Sequence, residues 1–216
     1  MLTQAQLDKI RKFLDESSNP LFFFDNDVDG LTSFLLFRRY CGKGKGVVIK
    51  SHPALDASYF RKVQEHTPDI IFILDSPLVS EEFIEKVQEI NIPIVWIDHH
   101  PTEQNKSFLN YFNPLNSTVP SSEPVSYWCY KVTDRKSDEW IAMLGCIADK
   151  YIPDFAETFS ENYPDLFTKT KNSDKALFET EVGRIIRILN FALKDRISQV
   201  IRLMKNMLQV KSPYEF

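Results

Sequence analysis

Glycine is scarce in this chain, at six residues in 216, and cysteine is scarcer still, at three. Cys41, Cys129 and Cys146 are odd in number and widely spaced, which excludes a disulfide framework and a zinc knuckle. A reducing, cytoplasmic setting is the expectation. No apolar run approaches the roughly 20 residues that span a bilayer as a helix, so no membrane partner is expected. The N-terminal stretch MLTQAQLDKIRKF has the pattern of an amphipathic helix rather than of a signal peptide. Excess positive charge is also missing: the formal net charge is −4. That argues against a generally basic nucleic-acid surface, but not against a local basic groove or a site where metal ions supply the positive charge. What remains is an ordinary globular composition, 43% hydrophobic and 26% charged, in a length that suits one large domain or two small ones.

Apolar residues at helical spacing predict a helix over residues 3–16. Short, wholly apolar strands are expected at 21–24, 46–50, 69–74 and 92–97, with helices at 31–40, 56–66 and 80–90 between them. Apolar strands alternating with helices mark a parallel sheet covered on both faces. The fold class is therefore α/β: an open, doubly wound, mainly parallel sheet with helices on both faces, followed by C-terminal helices. Residues 101–122, rich in Asn, Pro, Ser and Thr, read as a long loop. Helices are expected at 124–132 and 137–149, residues 153–175 show no clean period, and 176–209 read as one or two amphipathic helices.

The chemistry gathers where strands end. The first strand runs into Asp25, Asp27 and Asp29 on alternate positions, the third into Asp75, and the fourth into Asp98, His99 and His100. Ligands of open α/β sheets bind beyond the carboxyl ends of the strands, so three strands deliver these groups to one edge. Closely packed carboxylates repel unless a cation, protons or hydrogen bonds offset the cost. Oxygen-rich sets with one or two imidazoles and no thiolate favour Mn²⁺ or Mg²⁺ over structural zinc. Two such ions about 3.5–4 Å apart form the clamp of many phosphoesterases. Asp149, after the apolar helix at 137–149, is a further candidate, with Asp154 as a weaker competitor.

Simpler readings stand beside these. DNDVDG starts like a calcium loop, but its twelfth position is Leu36, where a bidentate Glu is required. Asp27-Val-Asp29-Gly30-Leu31-Thr32 resembles the first motif of haloacid-dehalogenase-like enzymes, yet Asp25 and Asn26 intervene after the strand, and Asp98-His99-His100 is left unexplained. Asp75 has an N-cap reading, although Ser76 and Ser80 could cap equally well. Asp149 alone could be a polar residue at a helix end. His52 and His66 read as ordinary surface residues.

Taken together, DNDVDGLTS at 25–33, LDSP at 74–77, IDHHP at 97–101 and GCIADKYIPDF at 145–155 resemble the DHH phosphoesterase superfamily, and most of all its RecJ-like nuclease branch. The resemblance covers about residues 20–155 and implies a catalytic domain at 1–155 with a helical extension at 156–216. It implies that Asp27 and Asp75 hold one ion with Asp25 assisting, and that Asp29, Asp75, His99 and Asp149 hold the second. Asp75 would bridge the two. Asp98 would orient His99, and His100 would contact the scissile phosphate. The implied function is an Mn²⁺-dependent (alternatively Mg²⁺-dependent) phosphodiesterase or exonuclease acting through a metal-bound hydroxide. Its substrates would be single-stranded DNA or RNA, or short oligonucleotides.

Two departures qualify the resemblance. Where the pyrophosphatase branch carries a His, this chain has Phe23, which favours phosphodiester substrates. After Gly145 the sole glycine is Gly183, so the glycine-rich loop of the usual C-terminal substrate-binding domain is missing, and truncation is the expectation. Arg184 and Arg187, with Lys194, Arg202 and Lys205, are candidate backbone contacts for a strand; a solvated helix face is the plainer account. The competing functions are a cyclic dinucleotide or nucleotide phosphoesterase, and a catalytically silent replication or repair scaffold with a protein partner.

Overall fold

The computed structural model describes residues 1–50, 54–102 and 109–215. His52 and most of the first half of the expected 101–122 loop lie outside the described residues. Helix α1 (Gln4–Glu16) opens with a capping box between Thr3 and Gln6. Strand β1 (Pro20–Asp25) is buried as far as Phe24, and helix α2 (Val28–Cys41) follows after only two residues. Strand β2 (Lys45–Ile49), helix α3 (Phe60–His66), strand β3 (Ile70–Leu74), helix α4 (Glu81–Glu89) and strand β4 (Ile94–Ile97) continue the alternation.

The sheet has order β2-β1-β3-β4, with a fifth strand, β5 (Asn110–Phe112), beyond β4, and every pairing is parallel. β5 corrects the expectation of an unbroken loop at 101–122. It is three residues of mixed polarity, too short to show a period, and its place is set by pairing with Val95–Ile97.

Side chains alternate across the strands into two cores. Phe22, Phe24, Phe72, Leu74, Val95 and Ile97 face the larger one, with α1 and α2. Leu21, Phe23, Ile71, Ile73 and Trp96 face the smaller one, against Val63 of α3 and Phe83 and Val87 of α4. β1 thus buries three consecutive phenylalanines, two on one face and one on the other, each contributing about 1.5–3 kcal/mol.

Helix α5 (Val125–Thr133) and helix α6 (Glu139–Ala148) cover the same face as α2. Residues 153–175, without a period in the sequence, contain helix α7 (Ala156–Asn162) and the start of α8 (Ser173–Glu179). Helix α9 (Glu181–Leu193) and helix α10 (Ile197–Met207) complete the tail. Phe159, Ala176, Ile186, Leu189, Val200 and Met204 from these helices join the larger core. Among the described residues no helix is long and apolar enough to cross a membrane.

Adjacent strands leave the sheet in opposite directions at the junction of β1 with β3, the topological switch point of this strand order. The carboxyl ends of those two strands are Asp25 and the residue after Leu74, which is Asp75.

Candidate metal centre

Asp27 ends the turn after β1 and caps α2, its Oδ1 accepting from the Gly30 amide at 2.8 Å. The helix therefore begins at Val28, not near residue 31, and Asp29 falls in its first turn. The reason for glycine at position 30 is a close approach. A Cβ there would lie 2.5 Å from the Asp25 carbonyl oxygen, so only glycine lets α2 sit on the end of β1.

Asp29 is completely buried. Its Oδ2 accepts from Val125 N at 2.8 Å and its Oδ1 from Ser126 N at 3.0 Å, the first amides of α5. A helix N-terminus is a favourable neighbour for a carboxylate. This support is invisible along the chain, because α5 begins 96 residues after Asp29.

Asp75 is 1% exposed and has φ 59, the left-handed region that a non-glycine residue rarely enters. Its amide donates to Ile97 O at 2.9 Å, and the Trp96 indole donates to Ser76 O at 2.8 Å, which fixes the turn. Ser80 caps α4, accepting from Phe83 N, so Asp75 is not the cap of that helix. Both Asp75 oxygens and His99 Nε2 are buried without a hydrogen bond. They nonetheless approach one another: His99 Nε2 is 3.4 Å from Asp75 Oδ1 and 3.1 Å from Asp149 Oδ2. Buried polar atoms left unpaired cost free energy. Two carboxylates, each within ion-pair distance of one imidazole nitrogen, converge as ligands do. The donor set fits a hard divalent cation: carboxylate oxygens with one imidazole.

Among the described residues, ligand atoms of Asp29, His99 and Asp149 lie within 4.8 Å of one another, and so do those of Asp75, His99 and His100. The two groups share His99, whereas the resemblance makes Asp75 the bridge. His100 is the weaker ligand, because its Nδ1 is engaged by Asp98 Oδ1 at 2.8 Å and lies 3.8 Å from Asp75. Against the expectation that it orients His99, Asp98 contacts His100. Tyr111 Oη donates to Asp98 Oδ2 at 3.3 Å, and Asn113 Nδ2 donates to Tyr111 Oη at 2.7 Å and to His100 O at 2.9 Å. Tyr111 and Asn113 escape a reading of the sequence because they lie in and just beyond β5.

Electrostatics agree with the geometry. Burial, then the charge of Asp29, pushes Asp27 up to about 7. Burial, then Asp149, pushes Asp29 up to about 6, and burial with Asp29 and Asp27 raises Asp75. Burial opposes a charged His99, but Asp149 and Asp75 outweigh it and lift the imidazole to about 11. His100 is raised chiefly by its bond to Asp98.

Asp149 sits at the end of α6 with a quarter of its side chain exposed. Its competitor Asp154 is bound by Lys131 Nζ at 2.8 Å. Asp25 stands half-buried at the tip of β1. The two tail arginines have other partners: Arg184 pairs with Glu181 at 2.5 Å, and Arg187 donates to Leu177 O at 2.5 Å.

A family model described as the DHH family, N-terminal domain, matches residues 21–148. No curated protein matches the chain. Among solved structures, RecJ in complex with Mn²⁺ from Thermus thermophilus is similar with a TM-score of 0.59 at 14% identity, over 96% of this chain and 38% of that one. Exonuclease RecJ bound to manganese gives 0.64 at 13%, over 96% and 66%. The DHH domain of a protein assigned to a family of ribosomal proteins gives 0.71 at 12%, over 98% and 57%. The likeness is one of fold, and the chain spans from 38% to 66% of the length of these proteins. The family match runs from β1 through Ala148 and takes in Asp25, Asp27, Asp29, Asp75 and Asp98-His99-His100; this chain belongs to the DHH family.

Proposed function

We propose that the chain is a metal-dependent phosphoesterase that hydrolyses phosphodiester bonds in single-stranded nucleic acid or short oligonucleotides. In this reading residues 1–155 are the catalytic domain and 156–216 a helical extension. The observation that carries it is the convergence of Asp75, His99 and Asp149 at the switch point of a parallel sheet, with both Asp75 oxygens and His99 Nε2 buried and without a hydrogen bond. Asp29, held by the amides of α5, completes the set.

A divalent cation bound there supplies Lewis-acid activation and neutralises phosphoryl charge. Two ions are proposed, Mn²⁺ in preference to Mg²⁺: Asp27 and Asp75 would hold one with Asp25 assisting, and Asp29, Asp75, His99 and Asp149 would hold the other. The manganese-bound RecJ structures support this choice by their fold and their metal. The chain's own residues do the rest. Asp98 accepts from His100 Nδ1 and favours the charged imidazolium, whose Nε2–H would donate to a substrate oxygen. His100 is 41% exposed while Asp98 is wholly buried, which suits a phosphate contact backed by a fixed carboxylate. Phe23 is buried in the smaller core, so its position offers no further ligand.

The test is hydrolysis of a single-stranded oligomer, a linear dinucleotide and a cyclic dinucleotide, with Mn²⁺, with Mg²⁺ and with chelator. Metal-dependent turnover of the linear substrates is expected. Cleavage of the cyclic compound alone would remove the nuclease reading, and no turnover of any of the three would leave the scaffold reading.

A further inference from the structure

Far from the metal centre, at the C-terminal end of α2, lies a cavity of about 540 Å³. Arg38, Arg39, Arg135 and Lys211 line it, with Ser137 and Gln209, and no carboxylate is among the lining residues. Four cations drawn from three segments of chain thus converge in a protein of net charge −4. Like charges gathered this way repel, and part of that repulsion is offset within the protein. Asp138, fully buried and next to the lining residue Ser137, accepts on Oδ1 from Arg39 Nε at 3.0 Å and pairs with Arg39 Nη2 at 2.9 Å, while its Oδ2 forms an ion pair with Arg135 Nε at 3.5 Å. Arg39 Nη1 is spent on the carbonyls of Val210 and Leu208, and Arg135 Nη1 on the Arg39 carbonyl. Arg39 is therefore saturated and acts as a strut.

The others keep capacity. Among the described residues, Arg38 donates its Nε to Gly44 O at 3.1 Å and its two Nη groups have no hydrogen-bond partner. The Lys211 ammonium has no hydrogen bond or ion pair among the described residues; its backbone amide donates to Glu215. Asp138 cancels one charge of four, so about three remain: Arg38 is held by its Nε, Arg135 by its Nε and Nη1 with Nη2 left for a ligand, and the Lys211 ammonium adds its charge. Guanidinium forks match phosphate oxygens in pairs, and an ammonium adds a point charge. The volume is that of a small-molecule site, in the range of about 300–1,000 Å³.

We infer that this cavity is a second anion site, which takes a ligand carrying two or three consecutive phosphate groups on the side chains of Arg38, Arg135 and Lys211. It stands about 20 Å from the metal centre, the length of the 14-residue helix α2, whose other end bears Asp27 and Asp29. The phosphates belong either to a free oligophosphate or nucleotide, or to the backbone of a bound strand.

Titration calorimetry of the full chain with tripolyphosphate, at about 0.15 M salt and in EDTA, tests the site. Exposed charges beyond about 8 Å are screened in that buffer, and the metal-free carboxylates repel the anion from the other centre. Saturable binding with one ligand per chain is expected. Lys211→Gln and Arg38→Gln should each weaken it about tenfold, the loss of one charge-assisted hydrogen bond. Lys211→Arg should retain it, and His100→Ala should leave it unchanged. Lys211 has no side-chain partner among the described residues, so its variants keep the fold whatever Arg38→Gln does. A single-stranded 12-mer that displaces tripolyphosphate assigns the site to a strand backbone; one that does not assigns it to a free oligophosphate. Absence of saturable binding, or binding that survives Lys211→Gln and Arg38→Gln but is lost in His100→Ala, overturns the inference.

Discussion

Asp98 Oδ1 lies 2.8 Å from His100 Nδ1, and this contact separates the two adjacent histidines into different roles. His99 turns its unpaired Nε2 toward Asp75 and Asp149, while His100 is held by a carboxylate that Tyr111 holds in turn. The imidazole rings meet edge to face with centroids 4.4 Å apart, so one position of backbone is enough to turn one ring to Asp75 and Asp149 and the other to Asp98.

Asp98→Asn should therefore slow turnover by about 10–100-fold, the usual effect of losing an orienting partner. The metal concentration at half-maximal activity should stay where it is, because the Asp98 carboxylate is bonded to His100 and Tyr111. Tyr111→Phe should reproduce a smaller part of the same loss. A parallel fall in metal affinity would mean that Asp98 acts through the ligand set, against the assignment to His100.

Asp75→Asn should separate stability from function. Burial and the charges of Asp29 and Asp27 make an ionised Asp75 unfavourable when no cation is bound. The neutral amide should raise Tm in EDTA by a few degrees, given that about 1 kcal/mol moves a chain of this size by roughly 2–4 °C. The same substitution should abolish the increase in Tm that Mn²⁺ gives the unaltered chain. Differential scanning calorimetry reads both, and a lower Tm in EDTA would contradict the account of repulsion.

The same charges set a pH dependence. Asp27 and Asp29 are raised in the folded state to about 7 and about 6, so the stability they contribute is present at acid pH and lost as pH rises through those values. His99 is also raised, to about 11, and its contribution too declines above its ordinary pKa. Both trends run the same way. In EDTA, stability should fall from about pH 5 to 8, and a divalent cation, which displaces those protons, should restore more at pH 8 than at pH 5. Urea midpoints with and without Mn²⁺ across that interval measure it; a gain from metal that shrank with rising pH would reverse the sign.

Much of this is legible in the sequence, for physical reasons. Strands buried on both faces are written as unbroken apolar runs such as Leu21–Phe24 and Ile70–Leu74, and chemistry at strand ends is written as the polar residue that ends each run. Asp25, Asp75 and Asp98 are visible in that way. Contacts between distant segments are not. The amides of Val125 and Ser126 that hold Asp29 carry no side-chain signal, because any residue supplies an N–H. β5 is three residues long, so Tyr111 and its bond to Asp98 fall inside an apparent loop. The expected pairing of Asp98 with His99 fails for a related reason: adjacent residues beyond a strand end point in different directions, and the carboxylate reaches the second histidine rather than the first.

Gly145 shows how such a hidden contact reaches the metal centre. It lies in α6 one turn before Asp149, on the same helical face. A Cβ at this position would sit 2.3 Å from both Thr32 Oγ1 of α2 and Ser126 Oγ of α5. Thr32 is anchored to the carbonyls of Val28 and Asp29, and the Ser126 amide holds Asp29, so neither hydroxyl can retreat without disturbing the turn that carries that carboxylate. Gly145→Ala should accordingly push α6 outward and carry Asp149 away from His99 Nε2, now 3.1 Å distant. A loss of about 1–3 kcal/mol in stability is the expected cost of overpacking. It should be accompanied by weaker Mn²⁺ binding if Asp149 is one of the proposed ligands, as its place within 4.8 Å of Asp29 and His99 ligand atoms suits. Isothermal titration with Mn²⁺ decides between a merely structural glycine and one that positions Asp149: a destabilised chain with undiminished metal affinity would confine Gly145 to helix packing.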